Sequence, residues 1–358
     1  MDIDAHHAGT YVVARLAGIS HREAEIIAHA AQYVDDATNE GVIHFDNGAM
    51  YRRICSAHKM LDYRNTESLA SARVWVPFHF LPGNGGLPAG QEPAANAASS
   101  TIEKMICRAD SPVAQDMVRD AIMAHGSPYA LHRLGITAHV YVDTWAHQGF
   151  SGTNHEWNRA SDLIGADGTP DVSMMSRLKG FFISNSWPLG HGAVLGHPDR
   201  PYLIWGYVNG RGEKVLRNNP QDYLTAFDAM CKMFRRYLLR NPDAEVPGLL
   251  DPDRTLITAL FRTLTDPDGE VRHKQWLDAL SQGHFSFGKV ILTYQPKGEG
   301  SWKHQALQTV KEVDDENDVF PFHPDFFRSN WKLFHDALIR HQFHVVHEIL
   351  PRYGICTA

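Results

Sequence analysis

The sequence predicts an all-α fold, a multi-helix bundle whose long irregular loops surround a cleft of histidine and aspartate side chains. Helical periodicity recurs along most of the chain, and the strand pattern is weak apart from residues 289–294. With 358 residues and a hydrophobic fraction of 43%, the chain can bury a large core. We expect one helical domain over residues 1–358, with the site residues within 1–205 and a C-terminal helical portion at about 216–358.

The N-terminal elements follow from capping residues and breakers. Alanine and isoleucine dominate residues 10–36, and Ser20 followed by Glu23 forms a capping box, so we predict two helices that break near Gly18. Residues 48–66 predict a further helix. Residues 75–83 are aromatic and bounded by prolines, which indicates an extended or looped segment.

The rest of the chain alternates between loops and helices. Residues 82–100 are rich in Gly, Pro, Ala and Ser, which predicts a flexible surface loop able to cover a cleft. Glycine and proline also punctuate the predicted loop at 187–202. Helices are predicted over residues 101–123, 127–147, 221–240, 251–264 and 326–349, and irregular structure over 149–170.

Charge and histidine content narrow the function classes. The formal net charge is −7 and no Lys/Arg-rich run is present, so we expect no stable nucleic-acid complex. The 22 histidines are numerous beside 34 lysines and arginines, and neutral imidazole is the commonest metal ligand. More than half of these histidines are expected to be ordinary core or surface residues.

Cysteine usage and the N-terminus bear on compartment. The four cysteines are far apart without a C-x-x-C pair, which argues against a thiolate zinc site and suits a reducing compartment. No signal-peptide pattern and no transmembrane-length apolar run are visible, so a cytoplasmic location is expected. The oligomeric state cannot be deduced from the sequence.

The most informative segment is the predicted helix that carries His139, Asp143 and His147. These residues stand at i, i+4 and i+8, and steps of four advance by about 400°, so the side chains share one face. Two imidazoles and one carboxylate that project from one helix face are typical of a divalent metal site. We therefore predict that this stripe binds metal.

Further candidates lie on other segments, and each has an ordinary alternative. Asp35 and Asp36 end a predicted helix, where carboxylates oppose the dipole at a cost of about 0.3–1 kcal/mol; a metal, or an earlier helix end, would explain them. His79 stands among aromatics, where histidine is more often a core residue. The remaining candidate ligands are His6 and His7 near the N-terminus, and His191 and Asp199 in the Gly/Pro-rich loop.

The C-terminal histidines form a competing cluster. His335, His341, His344 and His347 lie on a predicted helix, and the last three step by three residues. We favour an amphipathic surface helix with a His-rich polar face over metal ligation. H-E-x-x-H, G-x-S-x-G, Walker A and G-x-G-x-x-G motifs are absent from the sequence.

In chain order, these candidates resemble the ligand series of the zinc-dependent phospholipase C / S1-P1 nuclease superfamily. The resemblance implies an all-α fold with three zinc ions in a cleft, and its best match is the stripe from His139 to His147. In that superfamily the N-terminal residue itself ligates zinc, and the last ligand is a Glu four residues after its His. In this chain Asp4 or His6 would replace the N-terminal ligand, or one zinc would be missing. The nearest acidic residue after His191 is Asp199, eight residues later.

The chain more closely resembles an uncharacterised bacterial family, which brings no assigned activity. The likeness spans most of the chain and is carried by the motifs Asp4-x-His6, Thr10-Tyr11, Gln32-Tyr-Val-Asp35-Asp36, Phe78-His79-Phe-Leu-Pro-Gly83, the His139 helix and Pro198-Asp199-Arg-Pro-Tyr202.

These patterns lead to one expected function and two alternatives. We expect a hydrolase with two or three Zn²⁺ ions or another divalent metal, most consistent with a phosphoesterase, in which a metal-bridged hydroxide attacks phosphorus. Asp35 or Asp36 would act as general base, and Arg200 would bind a phosphate oxygen. The substrate would be a small-molecule, lipid or nucleotide phosphoester. The alternatives are a non-catalytic helical protein with a structural metal, and a metal-dependent amide or ester hydrolase.

Overall fold

The fold is dominated by α-helices. The computed structural model describes residues 1–58, 68–93, 100–165, 169, 189–315 and 317–357. The α-helices are α1 (Thr10–Ala17), α2 (His21–Asp36), α3 (Ser68–Phe78), α4 (Ser100–Met105), α5 (Pro112–Met123), α6 (Ala130–Ala146), α7 (Asn219–Leu239), α8 (Asp253–Thr263), α9 (Gly269–Gln282), α10 (Trp302–Leu307) and α11 (Asn330–Phe343). Short π-helical segments at Asp4–Gly9 and His344–Ile349 adjoin α1 and α11.

Two small sheets show that the predicted all-α class was too narrow. The strands are β1 (Gly41–Phe45), β2 (Met50–Arg53), β3 (Ala160–Ile164), β4 (Ile204–Asn209), β5 (Lys214–Asn218) and β6 (Val319–Phe320). The first sheet has the order β2-β1-β6, with β1 antiparallel to β2 and parallel to β6. The second is an antiparallel meander, β3-β4-β5. These strands are two to six residues long, so each offers too few alternations for a clear period-two signal.

The predicted elements are confirmed in part. The break at Gly18 between α1 and α2 is correct, and the side chain of Ser20 accepts a hydrogen bond from Glu23 N. The helix predicted over 48–66 is wrong where it overlaps β2, and residues 59–66 lie outside the described residues. Residues 75–78 are helical despite Pro77. The helix predicted over 101–123 is divided into α4 and α5, because Ser111 caps a new start at Pro112.

The rest of the chain also departs from the prediction in places. Residues 289–294 form no strand, and α9 was not anticipated. Within 82–100, residues 94–99 lie outside the described residues, as do 187 and 188 at the start of the loop predicted over 187–202. The described part of that second loop contains only one 3₁₀ turn, at Gly192–Val194.

Helix α6 is the central element. Each of its residues except Leu131 is buried, and α2, α5, α7 and α11 all contact it. A helix buried on all sides must satisfy or pair every polar side chain that it carries. No helix within the described ranges combines the length and apolar composition needed to cross a membrane.

Helices α2 and α6 approach closely at Gly135. A Cβ atom at this position would lie 2.4 Å from the carbonyl oxygen of Ile27 and 2.8 Å from the Cβ of Ala30. The close contact therefore requires glycine, and it sets the separation of the two helices one turn before His139.

We predict that Gly135→Ala destabilises the fold by about 1–3 kcal/mol, because the added methyl group must push the two helices apart. The sign is informative, since glycine to alanine in an open helix would stabilise it by about 1 kcal/mol. Denaturant unfolding measures the change. Gly126→Ala is the control, because a Cβ there meets nothing within 4 Å. Equal stability of the Gly135 variant and the wild type would contradict this packing.

Candidate metal centre

Five structural segments bring candidate ligands together at the C-terminal half of α6. His6 lies on the π-helical segment Asp4–Gly9, Asp35 on the last turn of α2, and His79 directly after α3. Helix α6 contributes His139, Asp143 and its C-cap residue His147, and the loop that begins at residue 189 contributes His191 and Asp199. Three neighbouring groups result, each with ligand atoms within 4.8 Å of one another: His6, Asp35 and His139; His79, His139 and Asp143; His147, His191 and Asp199.

The first two groups share His139. Its Nε2 atom lies 3.2 Å from Asp143 Oδ2 and 3.2 Å from His79 Nδ1. The Oδ1 atom of Asp35 lies 3.8 Å from each of these two ring nitrogens. His6 stacks on His139 with ring centroids 3.8 Å apart, and its Nε2 lies 3.2 Å from Asp143 Oδ1. Both oxygens of Asp143 therefore face imidazole nitrogens.

The third group surrounds Asp199. His147 Nε2 is 3.5 Å from Asp199 Oδ1, and His191 Nε2 is 3.5 Å from Asp199 Oδ2. Phe80 stacks on the His147 ring at 4.6 Å and fixes its orientation. This group lies beside Asp143 as well, because His147 Nδ1 is 3.6 Å from Asp143 Oδ2.

Backbone carbonyls determine which nitrogen of each ring faces the centre. A carbonyl can only accept, so the ring nitrogen beside it must donate. His139 donates from Nδ1 to the Ala31 carbonyl oxygen at 2.8 Å, and His79 donates from Nε2 to that of Ser56 at 2.9 Å. His147 and His191 donate from Nδ1 to the carbonyl oxygens of His79 and Leu195, each at 2.8 Å. In neutral rings, the opposite nitrogens present lone pairs to the centre.

Burial favours the neutral form of His6, His139 and His191. It lowers the pKa of His6 and of His191 to about 4, and neighbouring positive charge adds to the effect. The pKa of His139 falls well below its ordinary value, first through burial and then through His6. These three imidazoles are therefore unprotonated near neutral pH.

The aspartates of the centre differ in their electrostatics. Burial alone would raise the pKa of Asp143 and Asp199, but nearby histidines and the Met1 amino group outweigh it and hold both well below the ordinary value. Burial, with repulsion from Asp143 and Asp36, raises the pKa of Asp35 well above its ordinary value. The Asp35 side chain is also 34% exposed, so the centre opens to solvent there.

The amino group of Met1 also reaches the centre. It lies 2.7 Å from Asp143 Oδ1 and 3.2 Å from Asp199 Oδ1. Burial opposes its charge, but attraction to Asp143, Asp199 and Asp35 raises its pKa to about 11. The sequence offered only an indirect sign of this contact, through the resemblance in which an N-terminal residue is a ligand.

Lone-pair acceptors outnumber donors in this centre. The lone pairs of His79 and His139 face each other at 3.2 Å, and neither nitrogen of His6 nor Asp143 Oδ2 has a hydrogen-bond partner among the residues that the structure describes. Buried acceptors without donors are costly unless a cation binds between them. The arrangement therefore fits divalent metal ions, and imidazole with carboxylate suits zinc and other transition metals better than calcium or magnesium.

Some predicted site residues lie elsewhere. His7 contacts His273, with Nδ1 and Nε2 2.9 Å apart, and Asp36 accepts a hydrogen bond from the Tyr294 hydroxyl at 2.6 Å. Each is the helical neighbour of a residue that faces the centre, and successive helical residues point about 100° apart. Asp4 is also turned away, because Arg272 binds both of its carboxylate oxygens.

Arg200 lies partly at the surface, whereas most of the C-terminal histidines lie in the core. Arg200 follows Asp199 and is partly exposed. The expected His-rich surface helix is wrong for most of its members, because His335, His341 and His344 are buried. His341 Nε2 donates to the Pro77 carbonyl oxygen at 3.0 Å, and His344 Nδ1 contacts Asp120 Oδ1 at 2.7 Å. Their contacts join helices in the core.

The fold and site together define a predominantly helical protein with clustered histidine and aspartate ligands. The chain belongs to the family described as "Family of unknown function (DUF6765)", whose model matches residues 1–349. This confirms the predicted membership of an uncharacterised family. No curated protein and no solved structure matches the chain.

We predict that Gly190→Ala weakens metal binding at the third group by about 10- to 100-fold. Gly190 has φ +53°, and a Cβ atom there would lie 2.3 Å from the Phe80 ring, which would then press on His147. Gly192→Ala is the matched control on the other side of His191, because its Cβ meets nothing within 4 Å. Titration with Zn²⁺ and a competing chelator measures both affinities, and equal values would contradict the role of Phe80.

We also predict that chelator-treated protein loses stability as the pH falls from 6.5 towards 4. His6 and His191 titrate near pH 4 when folded but near 6.5 when unfolded, so the unfolded state takes up protons first. Other buried histidines with lowered pKa values act in the same direction: His29, His132, His273 and His335.

Asp2, Asp4 and Asp35 oppose this trend, because burial raises their pKa values and lets the folded state hold extra protons. The lowered pKa values of Asp143 and Asp199 act in the same direction as the histidines. Thermal unfolding between pH 7.5 and 4.5 measures the effect. Saturating Zn²⁺ should move the fall to lower pH, since protons and metal compete for the same nitrogens. A midpoint that stays constant from pH 7 to 5 without metal would show that these imidazoles are not neutral ligands.

Proposed function

We propose that this protein is a metal-dependent hydrolase, most consistent with a phosphoesterase, that uses two or three divalent ions, zinc foremost. The observation that carries the proposal is the convergence of imidazole nitrogens on both oxygens of Asp143. A carboxylate whose two oxygens face histidines of adjacent ligand groups suits ions held a few ångströms apart, as in two-metal hydrolytic sites. Histidine and aspartate are common zinc ligands in such sites.

The solvent-accessible side of the centre favours catalysis over a purely structural metal. Structural zinc sites are closed by four protein ligands, whereas catalytic sites keep a position open. Asp35 is partly exposed at the edge of the centre, while Asp143 is fully buried. A substrate would therefore enter beside Asp35.

The chain's own residues would divide the chemistry. Bound divalent ions would lower the pKa of a water molecule from 15.7 towards about 7 and so supply a nucleophile near neutral pH. Asp35 is placed to accept a proton from that water, and its raised pKa in the metal-free chain favours the role of a base over that of a strong ligand. Asp143 would hold adjacent ions together, and Arg200 would bind a phosphate oxygen.

Two features favour a phosphoric ester over an amide or carboxylic ester. The chain order of the candidate ligands resembles the zinc-dependent phospholipase C / S1-P1 nuclease superfamily, whose members cleave phosphodiesters. Arg200 is partly exposed directly after Asp199 and, among the described residues, pairs with no carboxylate. A guanidinium in this position suits a phosphate group.

We predict that Asp35→Asn lowers kcat for a chromogenic phosphodiester by about 10²- to 10⁴-fold while most bound metal is retained, because the variant loses a proton acceptor. Asp36→Asn is the matched control, since Asp36 faces Tyr294 instead of the centre. Zinc content per chain is measured alongside hydrolysis for both variants and the wild type.

Three outcomes would count against the proposal in different ways. Wild-type protein that binds no divalent metal would overturn it entirely. Bound metal without hydrolysis of phosphodiester, phosphomonoester, amide or carboxylic ester probes would favour a structural metal. Hydrolysis of the amide or carboxylic ester probes alone would retain the hydrolase and change the bond.

A further inference from the structure

A buried arginine links the N-terminal segment to the loop of the third ligand group. Arg272, on the first turn of α9, is 0% exposed. Its Nε donates to Asp4 Oδ2 at 2.7 Å, and its Nη2 lies 3.2 Å from Asp4 Oδ1 and 2.6 Å from Asp2 Oδ2. The same Nη2 lies 3.3 Å from the carbonyl oxygen of Asp199, and Nη1 donates to that of Asp266 at 2.7 Å.

These contacts link the segments of two candidate ligands, His6 and Asp199, that are distant in sequence. Asp4 opens the π-helical segment that carries His6, two residues later, and Asp199 is itself a member of the third group. The guanidinium is planar, and its donors have fixed directions, so it constrains orientation as well as distance. A lysine ammonium could supply the same positive charge, but it lacks the planar set of N–H donors with fixed directions.

The N-terminal segment is also packed tightly against the start of α9. A Cβ atom at Gly269 would lie 2.7 Å from the Cβ of Asp2 and 2.9 Å from its Cγ. The π-helical segment contacts α9 along its length, and His7 meets His273 there. Residues 2–9 therefore pack against helix α9, and Arg272 supplies the hydrogen bonds that hold them there.

We propose that Arg272 is a positioning residue of the metal centre: it holds His6 and Asp199 on either side of Asp143 at the separation that bound ions require. This inference rests on the metal centre of the proposed function. Arg272 faces the carboxylates of Asp2 and Asp4 and the backbone of Asp199, so it acts through the ligand segments and touches no reacting atom.

The test compares Arg272→Met and Arg272→Lys in the full chain with wild type. Cobalt(II) is the probe, because its bound count is measurable by elemental analysis and its visible absorption reports coordination geometry. Hydrogen–deuterium exchange of residues 2–9 reports directly on the anchored segment. Arg53→Met is the control, since Arg53 is also buried and pairs with a carboxylate distant in sequence, Asp314, away from the candidate ligands.

We expect Arg272→Met to bind at least one cobalt ion fewer per chain and to exchange residues 2–9 at least about tenfold faster. Arg272→Lys should fold and recover part of the cobalt count, because it restores the positive charge. Its absorption spectrum should differ from that of the wild type, because lysine lacks the directional donors of the guanidinium. Arg53→Met should lose thermal stability but keep the wild-type cobalt count and spectrum. If Arg272→Met does not fold, Gly269→Ala supplies the second variant, because it displaces Asp2 and leaves every charge in place.

Each result has a distinct meaning. Wild-type cobalt count, spectrum and exchange in Arg272→Lys and Gly269→Ala would overturn the positioning role and leave the hydrolase proposal intact. A wild-type chain that binds no cobalt would overturn the hydrolase proposal, and the exchange of residues 2–9 would still decide whether Arg272 anchors the segment.

Discussion

The structure depends on one constraint: both oxygens of a buried carboxylate, Asp143, face imidazole nitrogens. Carbonyl oxygens accept hydrogen bonds from the opposite nitrogens of His79 and His139, so in its neutral form neither ring can donate towards the centre. The Met1 amino group offsets part of this negative potential. Buried acceptors of this number are stable only with further positive charge, which is the physical basis for expecting divalent ions.

The fold meets this constraint by rigidity around α6. Because the helix is buried on nearly every side, its ligands cannot turn to solvent and are held by their packing. The close approach at Gly135 fixes α2 against α6, and α2 then supplies both Asp35 and the Ala31 carbonyl that orients His139. Packing, ring orientation and charge are thus coupled, so a change at the helix contact reaches the ligands without altering any of them.

The sequence predicted what depends on local periodicity. Steps of four residues placed His139, Asp143 and His147 on one face, and the Ser20 cap located the start of α2. The sequence does not show which of two adjacent residues, such as Asp35 and Asp36, faces the centre, because this depends on how the helix is oriented in the folded chain. Partners more than 200 residues apart, as in Arg272 with Asp4, leave no local pattern. The short strands were not predicted for the same reason, because tertiary contacts determine their pairing.

The most direct test of this account is a crystal structure of zinc-loaded protein with anomalous data collected at the zinc edge. We expect one peak among His79, His139 and Asp143 and a second among His147, His191 and Asp199, each about 2.0–2.2 Å from its ligand atoms. Occupancy near His6 would add a third. A well-folded chain with no anomalous density in these groups after zinc saturation would contradict the account.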